Sequence, residues 1–372
     1  MTEYRVGLIV NPIAGMGGRV GLKGTDSAEV KERARELGAE QRSGDRARVA
    51  LEAVVGCSAA FELLTAPEPM GEAAARSCGF SPTVIGSIDG PETSAADTRR
   101  IAEQLRDHGI DVLIFAGGDG TARDIYTAIG ESVPAIGIPT GVKMYSGVFC
   151  TTPEAAGELL QQYLMGEADS ETVREVMDID EDAFREDELS ATLYGYLRVP
   201  SERQLVQSPK SGSSSDRATA KSLIGKEIVD QMQDDTLYII GPGSTTAAIL
   251  HELDTDPTLL GIDAVRNHKL VGTDLRESEL LELVDGKTAE IIVGVIGGQG
   301  FIFGRGNDQL SSRVIDTVGA ENVTVVASEP KLREIDGPLW VDTGDAQVDS
   351  TLTGYTRVVT GRGKHSVVKV TR

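Results

Sequence analysis

The run Gly117-Gly118-Asp119-Gly120-Thr121 holds the sharpest chemistry in this chain of 372 residues. Its carboxylate follows directly on the apolar stretch Asp111–Ala116, so it is anchored at its root and open at its tip. Glycines on both sides remove side-chain bulk. A phosphate chain can then lie against the backbone while Asp119 reaches a substrate hydroxyl as general base or touches a bound metal. Thr121 opens the helical stretch Ala122–Ile129, whose N-terminal dipole favours an anion. A plain Asp-Gly turn is the structural alternative.

Three further glycine loops follow apolar runs, and only glycine lets successive backbone N–H groups turn inward on a phosphate. The first follows Val6–Val10 and offers Asn11, Gly15, Gly17 and Gly18, with Lys23 behind it as a point charge. The second is Gly241–Thr246 and the third Gly297–Gly300. Familiar nucleotide fingerprints are absent. Gly225-Lys226 is followed by Glu227, which excludes a P-loop, and no loop reads G-x-G-x-x-G. Protein-kinase and H-E-x-x-H motifs are also missing, the histidines being scattered at 108, 251, 268 and 365.

Short apolar strands alternating with amphipathic stretches must position these loops, the pattern of a parallel sheet covered by helices. Strands are expected at Val6–Val10, Phe61–Leu64, Thr83–Ile85, Asp111–Ala116 and Ala135–Ile138, with helices at Ser27–Leu37, Ala47–Val55 and Ser94–His108. Thr152–Leu164 begins as a helix, acidic segments follow around Asp178–Glu188, and the serine-rich Ser208–Asp216 reads as a mobile loop. Later strands fall at Thr236–Ile240, Glu290–Ile296, Val323–Ala327, Tyr355–Val359 and Ser366–Val370. The expected class is α/β: an N-terminal parallel-sheet domain over 1–150 and a second, α+β or β-rich domain over 151–372. The C-terminal strands either complete the second domain or return to the first.

Composition limits what such loops can serve. With 40% apolar and 25% charged residues, and no apolar run near the ~18 residues of a membrane span, the chain reads as a globular cytoplasmic protein without a membrane partner. Cys57, Cys78 and Cys150 form neither a metal spacing nor an even disulfide set. A formal charge of −22 argues against nucleic acid, which needs a basic face, and suits a salt-loving source in which screening relieves self-repulsion.

With Asn11-Pro12 before one glycine loop and Gly117–Thr121 in the next, the chain resembles the ATP-NAD kinase family, within the superfamily shared with diacylglycerol and sphingosine kinases. Pro139–Gly147, Gly241–Thr246 and Ile296–Asn307 are similar to segments of its archaeal and bacterial branch. The resemblance implies transfer of a phosphoryl group from ATP or polyphosphate to the adenosine-ribose 2′-hydroxyl of NAD, with Mg²⁺ or another divalent cation neutralising charge. Asp119 would be the base. Gly117, Gly118, Gly120, Thr121, Thr140 and Lys143 would join the first loop in holding phosphate, and Gly243, Ser244 and Thr245 would hold the dinucleotide. A homo-oligomer is expected, and no metal ligand is assigned. Other expectations carried forward are a kinase of the same fold for another hydroxyl compound and a non-catalytic nucleotide sensor.

One departure bears on the acceptor. Orthodox members place an Asn-acid pair a few dozen residues beyond GGDGT, and this chain has no asparagine between Asn11 and Asn267. Its one such pair is Asn307-Asp308. Those residues either contact NAD, an amide for the adenine edge and a carboxylate for a ribose diol, or cap a helix over Gln309–Val318.

Overall fold

The computed structural model describes residues 4–22, 28–90, 92–140, 144–168, 170–179, 191–200, 215–258, 260–296, 300–335 and 337–372. Lys23, Lys143, Gly297–Gln299 and most of the expected acidic and serine-rich segments lie outside them. Two compact units divide the chain. One comprises Met1–Met16 and Gly24–Pro209, the other Gly17–Lys23 and Lys210–Arg372.

The first unit is built on five parallel strands, β1 (Tyr4–Val10), β2 (Phe61–Thr65), β3 (Thr83–Val84), β4 (Val112–Gly117) and β5 (Ala135–Pro139), in the order β3-β2-β1-β4-β5. β1 and β4 run as nearly unbroken apolar stretches because helices bury both faces of the sheet. Chain order reverses between them: β1 leads to β2 and β3 on one side, β4 and β5 lie on the other, and Val10 pairs with Ala116 at the carboxyl ends. That crevice is where open α/β sheets take ligands. The Ser94 hydroxyl caps the helix Ala95–Asp107, and Thr152 caps Pro153–Met165.

The unit extends well past residue 150. A hairpin of β6 (Glu171–Ile179) and β7 (Ala191–Pro200) buries Val176, Leu197 and Val199 in the same core as Leu8 and Phe115. β7 packs so closely that a side chain on Gly195 would meet the Tyr126 ring at 2.1 Å.

In the second unit β8 (Leu237–Ile240), β9 (Asp263–Arg266), β10 (Lys269–Gly272), β11 (Ala289–Gly294), β12 (Phe301–Phe303), β13 (Val323–Val326), β14 (Leu339–Val341), β15 (Gly354–Gly361) and β16 (Lys364–Thr371) make one mixed sheet. Its order is β10-β9-β8-β11-β13-β15-β16-β14-β12. Alternate residues feed two separate cores, Leu237, Ile239 and Ile291 on one face and Tyr238, Ile240 and Ile292 on the other. The C-terminal strands therefore belong to this unit and do not return to the first. No helix among the described residues is long and apolar enough to cross a membrane.

Candidate active site

In the first unit, Asn11 leaves β1 and ties its loop to the GGDGT turn. Its backbone N–H donates to Ala116 O at 2.9 Å, and its side-chain Nδ2 donates to Thr121 Oγ1 at 2.9 Å. Thr121 in turn lies on Gly117, where a Cβ would stand 2.4 Å from the threonine Cβ. Gly117 is thus demanded by packing. Gly120 is different, because a Cβ there meets nothing within 4 Å, so no neighbour in the chain requires glycine. The space it leaves lies in the first turn of the helix Asp119–Ile129, where backbone N–H groups lack helical partners. Thr140, at the end of β5, donates its N–H to Gly117 O at 3.0 Å, and its hydroxyl is buried with no partner among the described residues. Gly15 turns with φ of 74° and Gly118 caps the helix.

Asp119 is 8% exposed. Its two carboxylate oxygens accept backbone N–H bonds from Tyr145 at 2.7 Å and Ser146 at 2.9 Å. The segment that donates them is bolted down. Ser146 Oγ donates to Met177 O at 3.0 Å and accepts the Met177 N–H at 3.0 Å, while Gly147 N–H donates to Glu175 O at 2.9 Å. The two bonds from Tyr145 and Ser146 fix the direction in which the carboxylate points. Burial, with the Asp119 charge adding, pushes the Tyr145 phenol up to about 12, which keeps it protonated beside the carboxylate.

In the second unit, the Gly241–Thr246 loop closes β8 onto the helix Ser244–Glu252. Gly241 N–H donates to Ile292 O at 2.8 Å, and Gly243 adopts φ 119°, open only to glycine. Thr246 Oγ1 donates to Gly243 O at 2.8 Å, Thr245 is buried, and Ser244 Oγ accepts Lys221 Nζ at 2.8 Å. Lys221 is a cation at a glycine loop that the sequence did not single out, since it sits far from that loop along the chain.

Asn307 serves its own loop. Its Oδ1 accepts the Gly304 N–H at 3.1 Å and its Nδ2 donates to Ile302 O at 2.8 Å, with the residue 2% exposed. Gly304 is held to glycine twice over, by its φ of 86° and because a Cβ would overlap Asp342 O. The expected cap is overturned: the helix runs Ser312–Val318, and Ser311 Oγ accepts the Val314 N–H. Serine wins because it stands immediately before the first helical turn, whereas Asn307 is five positions upstream of Ser312. Asp308 is half-buried beside it.

No three His, Cys, Asp or Glu side chains gather into a metal site among the described residues. A magnesium ion arriving on a phosphate chain needs only one or two protein carboxylates, so this donor set is compatible with one.

Two family models match the chain: the ATP-NAD kinase N-terminal domain over residues 6–168 and the ATP-NAD kinase C-terminal domain over residues 233–370. No curated protein and no solved structure matches it.

Proposed function

The chain belongs to the ATP-NAD kinase family and is a kinase of that type, and we propose that its acceptor is the adenosine-ribose 2′-hydroxyl of NAD, with ATP or polyphosphate as donor. The observation that supports this best is the Asp119 carboxylate, held by two backbone N–H bonds at the switch point of a parallel sheet. Phosphoryl transfer asks the protein mainly for position and charge stabilisation. Asp119 accepts the hydroxyl proton. Gly117, Gly118, Gly120, Thr121 and the Thr140 hydroxyl line the end of the sheet where phosphate oxygens find donors, with Asn11, Gly15, Gly17 and Gly18 serving in the first loop. Gly243, Ser244 and Thr245 hold the dinucleotide. When bound, Mg²⁺ neutralises the developing phosphate charge. The reaction belongs in the cytoplasm, where both substrates are.

A kinase of the same fold for another hydroxyl compound has one observation in its favour. The amide of Asn307, which could have replaced the missing Asn-acid pair, is spent on Gly304 and Ile302. A matrix of ATP and polyphosphate against NAD, NADH and sugar or polyol acceptors, with Mg²⁺ in molar KCl, separates the readings. NADP formation is the expected result. Donor consumption only with another acceptor would transfer the activity to that compound, and nucleotide binding without turnover would favour a sensor.

A surplus of 58 acidic over 36 basic side chains supports adaptation to concentrated salt. The melting temperature is expected to rise between dilute and 2 M KCl; a flat or falling trend would contradict the adaptation.

A further inference from the structure

Residues Gly17–Leu22 form a tight turn that groups with the second unit. Within it the Gly21 N–H donates to Gly18 O at 3.1 Å and the Leu22 N–H to Gly17 O at 3.0 Å. The turn lies at the start of the helix Glu277–Val284, where Glu277 N–H donates to Arg19 O at 3.4 Å. Gly21, with φ of 73°, faces two polar side chains of that unit. A Cβ built on it would stand 3.6 Å from Arg276 Cγ and 3.8 Å from Gln309 Nε2.

Three side chains around this turn lack a side-chain partner among the described residues. Arg19 Nε is buried with no hydrogen-bond partner. Neither Arg19 nor Arg276 comes within 4.0 Å of a carboxylate among the described residues. Gln309 is only 6% exposed, and its amide makes no hydrogen bond among them either. Several arginines elsewhere find acid, Arg99 with Asp124, Arg100 with Asp97, Arg198 with Glu171 and Arg362 with Asp230, while Arg174, Arg333 and Arg357 find none among the described residues. What sets Arg19 and Arg276 apart is that both stand at one glycine turn.

Acid does lie nearby, but it is committed. Glu277 Oε1 accepts the Ser311 hydroxyl at 2.5 Å and stands 3.9 Å from Arg313, and Glu279 Oε2 accepts the Arg276 backbone N–H at 2.9 Å. What remains is a pair of planar, permanently charged forks, an amide without a hydrogen bond among the described residues and a turn of backbone too slender to obstruct a ligand. Guanidinium groups bind phosphate oxygens two at a time, and several phosphates in a chain would use both forks.

We infer that Arg19, Arg276 and Gln309, with the Gly17–Leu22 turn, bind the phosphate chain of the phosphoryl donor. The site rests on the kinase reading and deepens it, naming residues of the second unit as donor ligands. The chemistry is common to a nucleoside triphosphate and an inorganic polyphosphate, so both are probes.

Titration calorimetry on the full chain, with MgATP, magnesium tripolyphosphate and NAD as separate ligands, tests it. Arg19→Gln, Arg276→Gln and Gln309→Leu should each weaken tripolyphosphate and ATP alike, by about 10–100-fold for the arginines. NAD affinity should stay within twofold. Arg276→Lys, which keeps the charge but loses the fork, should fall between wild type and Arg276→Gln, and melting curves confirm that each variant folds. Wild-type affinity for both phosphate probes in folded variants overturns the site. So does a loss confined to ATP, which would place these residues on the nucleoside, or one confined to NAD, which would place them on the acceptor. If the wild type turns over and the variants match it, only this site fails. If the wild type binds neither phosphate probe and turns over no donor, the kinase reading fails with it.

Discussion

Asp119→Asn separates chemistry from architecture, because the same carboxylate serves both. The amide matches the carboxylate in shape but has one acceptor oxygen where the acid has two. Whichever way it turns, the N–H of Tyr145 or of Ser146, now 2.7 and 2.9 Å from carboxylate oxygens, will face an NH₂ group. Losing one charge-assisted bond and stranding a buried donor costs about 2–4 kcal/mol together. For a unit of this size that lowers the melting temperature by roughly 4–16 °C. Loss of the base should lower kcat by about 10²–10⁴ while donor affinity is retained. The assay is steady-state NADP formation, run well below the variant's own melting temperature and paired with calorimetric melts. A kcat within threefold of wild type would remove Asp119 from the proton transfer. An unchanged melting temperature would refute the claim that its carboxylate holds the Tyr145–Ser146 segment.

Gly120→Ala should be neutral or up to about 1 kcal/mol stabilising, since the position is helical and the added methyl meets nothing within 4 Å. Its donor KM should still rise at least tenfold, and an unchanged KM would mean that no ligand uses the space. Asn307→Ala strands the Gly304 N–H and the Ile302 carbonyl and should cost about 2–4 kcal/mol in denaturant unfolding. A tenfold rise in NAD KM in folded variant would restore Asn307 as a ligand contact. Asp349→Asn addresses pH. Burial pushes the Asp349 carboxyl up, the charges of Asp342 and Asp345 add to this, and two bonds from Thr343 oppose it. A raised folded-state value means that the stabilisation is present at low pH and lost as pH rises through that value. The asparagine keeps an acceptor for Thr343 without the buried charge, so the variant should gain most over wild type near neutral pH and lose that gain on acidification. A gain that grows on acidification would contradict the assignment.

The fold was most legible where a strand is buried on both faces. Val6–Val10 and Asp111–Ala116 announce themselves as continuous apolar runs, and the helices capped by Ser94 and Thr152 carry their start signals in the sequence. The β6–β7 hairpin was missed because it is buried on one face only. Its outer face mixes the exposed Val173, Tyr194 and Tyr196 with charged residues, which blurs the period, and acidic residues dominate the connection. With the hairpin unseen, the first domain was expected to end some 60 residues before its Pro209 limit. β12 and β14, three residues each, are too short to show any period.

Site residues divide by whether their role is set locally or by partners distant in sequence. Gly117 and Thr121 are four positions apart and meet within one turn, so the GGDGT motif carries its own geometry. The partners that orient Asp119 lie 26 and 27 positions away, and Ser146 depends further on Met177, so nothing near the motif announces them. Spacing alone misled as to a helix cap at Asn307, whose amide is drawn back to Ile302 and Gly304 by a glycine turn packed on Asp342 while Ser311 caps the helix. Arg276 and Gln309 are ordinary polar residues until the second unit gathers them beside Gly21. Arg174, Arg333 and Arg357 also lack an acidic partner among the described residues, so the mark is the meeting of Arg19, Arg276 and Gln309 at one glycine turn and not the unmatched charge alone.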